Sequence, residues 1–117
     1  MSTLTRFAAV LVTASLAAAP PVAQARMVDS HTTTDHSQGT VHNVRPTDQT
    51  RETGLSAVSS DPGPGMENEG IPATPSLVGQ WVCHAVFAPG KETWNLEDWR
   101  PAVSFPEMVS SRCNPNP

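Results

Sequence analysis

Apolar positions divide this chain into three stretches. They run from Phe7 to Ala19, interrupted only by Thr13 and Ser15, between Arg6 and the pair Pro20 and Pro21. From Met27 to Pro75 they thin out: Val28, Val41, Val44, Leu55, Ala57, Val58, Met66, Ile71 and Ala73 are scattered without period among Ser, Thr, Asp, Gly and Pro. Beyond Ser76 they return densely, and every later aromatic (Trp81, Phe87, Trp94, Trp99 and Phe105) lies there.

The first stretch predicts a secretory signal peptide over residues 1–25, with one arginine, an apolar run, and the small residues Ala23 and Ala25 before the cleavage point. The run is shorter than the roughly 20 residues a membrane-spanning helix needs. Cleavage would leave a secreted protein, extracellular or in the cell envelope, with no membrane segment. The second stretch predicts a disordered acidic tail and linker over residues 26–75. Ordering the backbone costs about 1 to 2 kcal/mol per residue, and so few apolar side chains bury too little surface to offset it. Its end, "SSDPGPGMENEGIPATPS", has the Pro, Gly and charge of a semi-rigid linker.

The third stretch, residues 76–117, predicts a small folded domain. "SLVGQWVCHAVF" is rich in Val and aromatics, ends at the turn "APGK", and reads as a strand. "KETWNLE" alternates polar and apolar residues and could pair back as a second strand. "SFPEMVSSRCN" carries a capping box, Ser104 with Glu107, and a proline in the first turn, which predicts a short helix. Phe105, Met108, Val109 and Cys113 then share one helical stripe. The expected fold class is small α+β: a disulfide-stapled strand or two-stranded hairpin packed on one short C-terminal helix, preceded by a disordered tail. Its expected core is Trp81, Phe87, Trp94, Leu96, Phe105, Met108 and Val109.

A domain confined to Ser76 through Pro117 sits near the size that needs a staple. In an exported protein Cys83 and Cys113 should pair. A zinc site using Cys83, His84, Cys113 and a carboxylate is the competitor. It is disfavoured because adjacent Cys83 and His84 point to opposite faces of an extended strand.

Eleven acidic residues stand against seven basic ones, for a formal charge of -4. That balance argues against nucleic acid as a partner, and equally against an electrostatic hold on anionic lipid. No cofactor motif is present. His31, His36 and His42, with Asp29 and Asp35 nearby, could bind a divalent metal weakly. A hydrolase would have to draw on His84 with Ser104 or with Glu97, Asp98 or Glu107, and so short a domain hardly buries and orients such a set. The reading that suits the composition best is a small interaction module that binds a protein or cell-envelope component. Trp99 and Arg100, where the chain must turn, are its candidate contact residues, being the types that anchor interfaces.

"CHAVFAP", "KETWNLEDWRP" and the terminal "CNP" together resemble an uncharacterised family of short exported proteins, often actinobacterial, known as domain of unknown function 2599. The resemblance covers the C-terminal third of the chain and none of the tail. It brings no activity, so no residue inherits a role. One consequence of the leader can be checked directly: the exported protein should begin at Arg26, as read by intact mass, and a product retaining residues 1–25 would mean an anchored protein.

Overall fold

A computed structural model of the chain describes residues 26–117. The expected signal peptide, residues 1–25, lies outside the described residues. Strands β1 (Val28–His36) and β2 (Gly39–Pro46) form an antiparallel hairpin. Ser37 and Gln38 turn between the paired His36 and Gly39. Strand β3 (Trp94–Glu97) pairs antiparallel with β2, from Val44 opposite Trp94 to Val41 opposite Glu97. The sheet order is β1-β2-β3. Between β2 and β3 the chain runs through α1 (Asp48–Arg51), α2 (Ser56–Ser59), α3 (Gly63–Asn68) and α4 (Pro75–Phe87), and α5 (Phe105–Ser110) follows β3. Among the described residues no helix is long and apolar enough to cross a membrane.

Residues 26–75 are therefore not a disordered tail, and the reason lies in where their few apolar side chains go. Val28, Val44, Ala57, Met66 and Ile71 are all buried, in one cluster with Leu77, Trp81, Trp94 and Leu96. The segment adds a few groups to a core whose bulk comes from the C-terminal third, so a composition test applied to the segment alone underestimates its burial. Polar anchors fix the rest. Thr47 caps α1 through Thr50 N–H. Met27 O accepts from Thr47 N–H at 3.1 Å and from Thr50 Oγ1 at 2.7 Å. The Arg51 guanidinium donates to the carbonyls of Pro89, Lys91 and Glu92, which ties α1 to the loop before β3.

Residues 76–87, expected as a strand, form helix α4, and β3 pairs with β2 instead. The start signal is local: Thr74 accepts from Leu77 N–H, and Pro75 takes the first turn. Ser76, Leu77, Gln80, Trp81, Val82, Cys83, His84 and Ala85 are all buried. A helix buried on most of its circumference shows no amphipathic period, so its β-branched and aromatic content prevails in a sequence reading. Packing outweighs that intrinsic preference. Trp81 meets Trp94 edge-on at 5.3 Å, and Trp94 Nε1 donates to Ala88 O at the end of α4.

The expected disulfide joins Cys83 in α4 to Cys113, with Cα atoms 5.6 Å apart and Met108 packed against both cysteines. Trp81, Trp94, Leu96 and Met108 lie in the interior. Phe87 and Phe105, assigned to the core from sequence, do not: they are 57% and 37% exposed. Val109 is half-buried. The shift follows from the helix assignment, because α4 presents Cys83 and Trp81 inward and carries Phe87 out at its last turn.

Gln80 is fully buried and fastens α4 to the sheet. Its Oε1 accepts from Glu97 N–H at 2.8 Å and its Nε2 donates to Glu97 O at 2.9 Å. Nε2 also donates to Ser76 Oγ, whose hydroxyl donates to Arg100 O at 2.6 Å. One side-chain amide thus meets the peptide groups that Glu97 turns away from β2. Gln80→Leu keeps the volume and removes both bonds, leaving the Glu97 N–H unpaired while Glu97 O keeps only its bond from Arg100 N–H at 3.3 Å. We expect a loss of about 1 to 3 kcal/mol from the unpaired-group penalty, measured by denaturant unfolding. A loss below about 1 kcal/mol, the size of one ordinary hydrogen bond, would show that the amide is dispensable.

Candidate functional site

The C-terminal end of α4 and the chain around α5 enclose an apolar groove of about 300 Å³, lined by Cys83, Phe87, Ala88, Val109, Arg112 and Cys113. Its local origin is the end of α5. Ser104 caps the start of that helix by accepting from Glu107 N–H. At its other end Arg112 N–H donates to Val109 O and Cys113 N–H to Met108 O, at 3.0 and 2.9 Å. This is the paired-bond stop in which the residue after the cap turns left-handed, a place usually taken by glycine. Here Arg112 takes it at φ 53°, and Cys113 follows at φ 65°. The reversal carries Cys113 back to Cys83, and it sets a cationic side chain at a wall that is otherwise apolar. Among the described residues the Arg112 side chain has no hydrogen bond or ion pair. Phe87 and Phe105 stack beside the groove, with ring centroids 6.2 Å apart.

Trp99 and Arg100, the contact residues expected from sequence, are both half-buried. Arg100 is engaged within the chain: Nη2 pairs with Glu97 Oε2 at 3.0 Å, and Nη1 donates to Pro115 O at 3.1 Å. Its Nε is buried without a partner. Trp99 stacks on His36 with centroids 4.5 Å apart, and the Arg100 guanidinium lies 5.9 Å from its ring centre. Gly39 lets this corner close. A Cβ there would overlap the Asp98 carboxylate and crowd the Trp99 ring, while Asp98 Oδ1 accepts from Thr40 N–H.

The histidines of the expected metal set separate. His31 Nε2 and His42 Nδ1 share a hydrogen bond of 2.9 Å, whereas His36 is held against Trp99. Among the described residues no three His, Cys, Asp or Glu side chains converge as a metal cage. The parts considered for a hydrolase also stay apart. His84 is buried, hydrogen-bonded from Nδ1 to Gln80 O at 2.7 Å and tilted against Trp94. Ser104 caps α5, and Glu97 pairs with Arg100. Asp98 holds Thr40.

A family model described as "Protein of unknown function (DUF2599)" matches residues 28–116. The match takes in the hairpin and the short helices, so the likeness is not confined to the C-terminal third. Uncharacterised proteins of Mycobacterium bovis (Mb0487) and of two strains of Mycobacterium tuberculosis (MT0495 and Rv0477) are each 48% identical over 46 residues, covering 36% of this chain and 31% of the relative. The aligned part is thus about a third of those relatives' length. No solved structure matches the chain.

Two buried histidines make stability depend on pH. Burial, first, and Lys91 hold His84 below the ordinary value, opposed by the Gln80 carbonyl and by Glu97. Burial and then His31 do the same for His42, opposed by Asp98. The folded chain therefore binds fewer protons than the unfolded one below the ordinary histidine pKa of about 6.5. Stability is complete above that value and is lost as pH falls through it toward the folded values. Denaturation midpoints should drop between roughly pH 7.5 and 5, and the drop should shrink in a His42→Asn, His84→Asn double variant. A midpoint unchanged over that range, or a slope unaffected by the double variant, contradicts this.

Proposed function

The chain belongs to the DUF2599 family of proteins of unknown function, and from that membership we propose that it is an exported binding module that contacts its partner through the groove between α4 and α5. One observation carries the reading: two exposed phenylalanines stand beside an apolar groove that also holds a guanidinium unpaired among the described residues. A folded chain ordinarily buries large aromatics, and a rimmed apolar patch is the usual mark of an interaction surface. Arg112 adds a second argument. A non-glycine residue in left-handed backbone costs of order 1 kcal/mol or more, and glycine at this position would remove that cost along with the cation. The chemistry favours a partner that offers an aliphatic or aromatic group next to a carboxylate or another anion.

Export is supported by the leader pattern and by the disulfide, which forms and persists in oxidising compartments. The contact surface at Trp99 and Arg100 becomes the weaker alternative, since Arg100 has its partners within the chain.

An apolar anion such as anilinonaphthalene sulfonate is a direct probe of the groove, with acidic aromatic peptides as competitors. Phe87→Ser and Arg112→Gly should each weaken binding about tenfold, the equivalent of 1.4 kcal/mol. Arg112→Gly should at the same time raise stability, by about 0.5 to 1 kcal/mol if the left-handed strain is relieved. Binding that ignores both substitutions but is lost in Trp99→Ala would move the surface to the Trp99 corner.

A further inference from the structure

Among the described residues the two edges of the sheet are met differently. At β3 the outward peptide groups of Glu97 are taken by Gln80. At the other edge β1 runs for nine residues, and Ser30 and Thr32 to His36 are exposed. Natural edges are usually blunted by proline, lysine, a central bulge or a covering element. β1 contains no proline, lysine or arginine, and its one irregularity lies at its start, between Val28 and Ser30.

Strand geometry says which of its peptide groups point outward. Asp98 N–H donates to Thr40 O, so Thr40 faces β3 and its neighbour Val41 faces β1. Val41 lies opposite Thr34, whose groups therefore face β2. The N–H and C=O groups of His31, Thr33 and Asp35 are left facing outward.

We propose that β1 is a dimerisation edge, along which two copies of this chain pair antiparallel about a two-fold axis at Thr33. A two-fold contact uses the same strand from both copies and closes without further growth. Centred on Thr33, it sets His31 opposite Asp35 of the second copy in both halves and Thr32 opposite Thr34. All three outward residues then fall in hydrogen-bonded pairs. His31 Nε2 is already held by His42, which leaves its Nδ1 for that carboxylate. Moving the axis to Thr32 would instead oppose Asp29 with Asp35 twice, and like charges directly across a sheet are unfavourable. The charge pattern thus favours the register centred on Thr33, which sets His31 opposite Asp35 twice and no carboxylate opposite another.

The test uses residues 26–117, whose core closes within that segment, so that the leader cannot occupy the edge. Sedimentation over a concentration series should give a dimer. Thr33→Pro removes an outward N–H without touching the bonds to β2, a placement sheets tolerate at an edge, and should give the monomer mass with unchanged circular dichroism. Asp35→Lys should give the same result by replacing the acceptor across from His31 Nδ1 with a group that can only donate, and serves if the proline variant fails to fold. Under oxidation Thr33→Cys should cross-link to itself and Thr32→Cys should not. A monomer at every concentration, a dimer that survives both substitutions, or cross-linking through Thr32→Cys alone overturns the proposal.

Discussion

One buried amide sets the geometry of this protein. Gln80 presents an acceptor and a donor to Glu97 as a neighbouring strand would, so a helix side chain stands in for a fourth strand at that residue. The bond fixes α4 along β3, and from that position the helix sends Trp81 against Trp94 and Cys83 toward Cys113. Ser76 extends the network to Arg100 O, and Arg100 extends it to Pro115 near the C-terminus. Burying these polar groups is tolerable only because nearly all are paired. The chain-entropy model assigns about 3.7 kcal/mol to a disulfide closing a loop of this length, 30 residues apart in sequence. That covalent tie complements the amide, holding the far end of α4 to the C-terminus while Gln80 holds its middle to β3.

What is legible in the sequence follows from how local each signal is. The capping box at Ser104 and Glu107 is a short local signal and marks the start of α5. The two cysteines have a single pairing within the chain. The strand at Trp94–Glu97 alternates between buried and more exposed positions, so its period survives. Helix α4 is illegible because burial on most sides erases the period that distinguishes helix from strand; the Thr74–Pro75 start and a length of 13 residues are the available cues. The hairpin is harder still. "SHTTTDH" offers only polar side chains, and its order depends on Val28 and Val44 reaching an aromatic core about 50 residues away in sequence.

The candidate site shows the same division. Trp99 and Arg100 draw notice by residue type, yet Arg100 is bound to its own chain. Phe87 and Phe105 read as core because large aromatics usually are, but Phe87 leaves the core at the last turn of α4 and Phe105 of α5 stacks on it at the surface. Nothing in the sequence places Arg112 in left-handed backbone. That placement arises from the double hydrogen-bonded end of α5 and the return of Cys113 to Cys83.

Residues 28–116 pack as two apolar clusters that meet at α4, which Gln80 ties to β3, and native-state hydrogen exchange reads such packing residue by residue. Slow exchange is expected for β2, for the even-numbered amides of β1 that face it, and for Glu97, whose amide faces away from every strand. Rapid exchange through residues 28–71 with protection confined to α4 and α5, or an unprotected Glu97 amide, would contradict it.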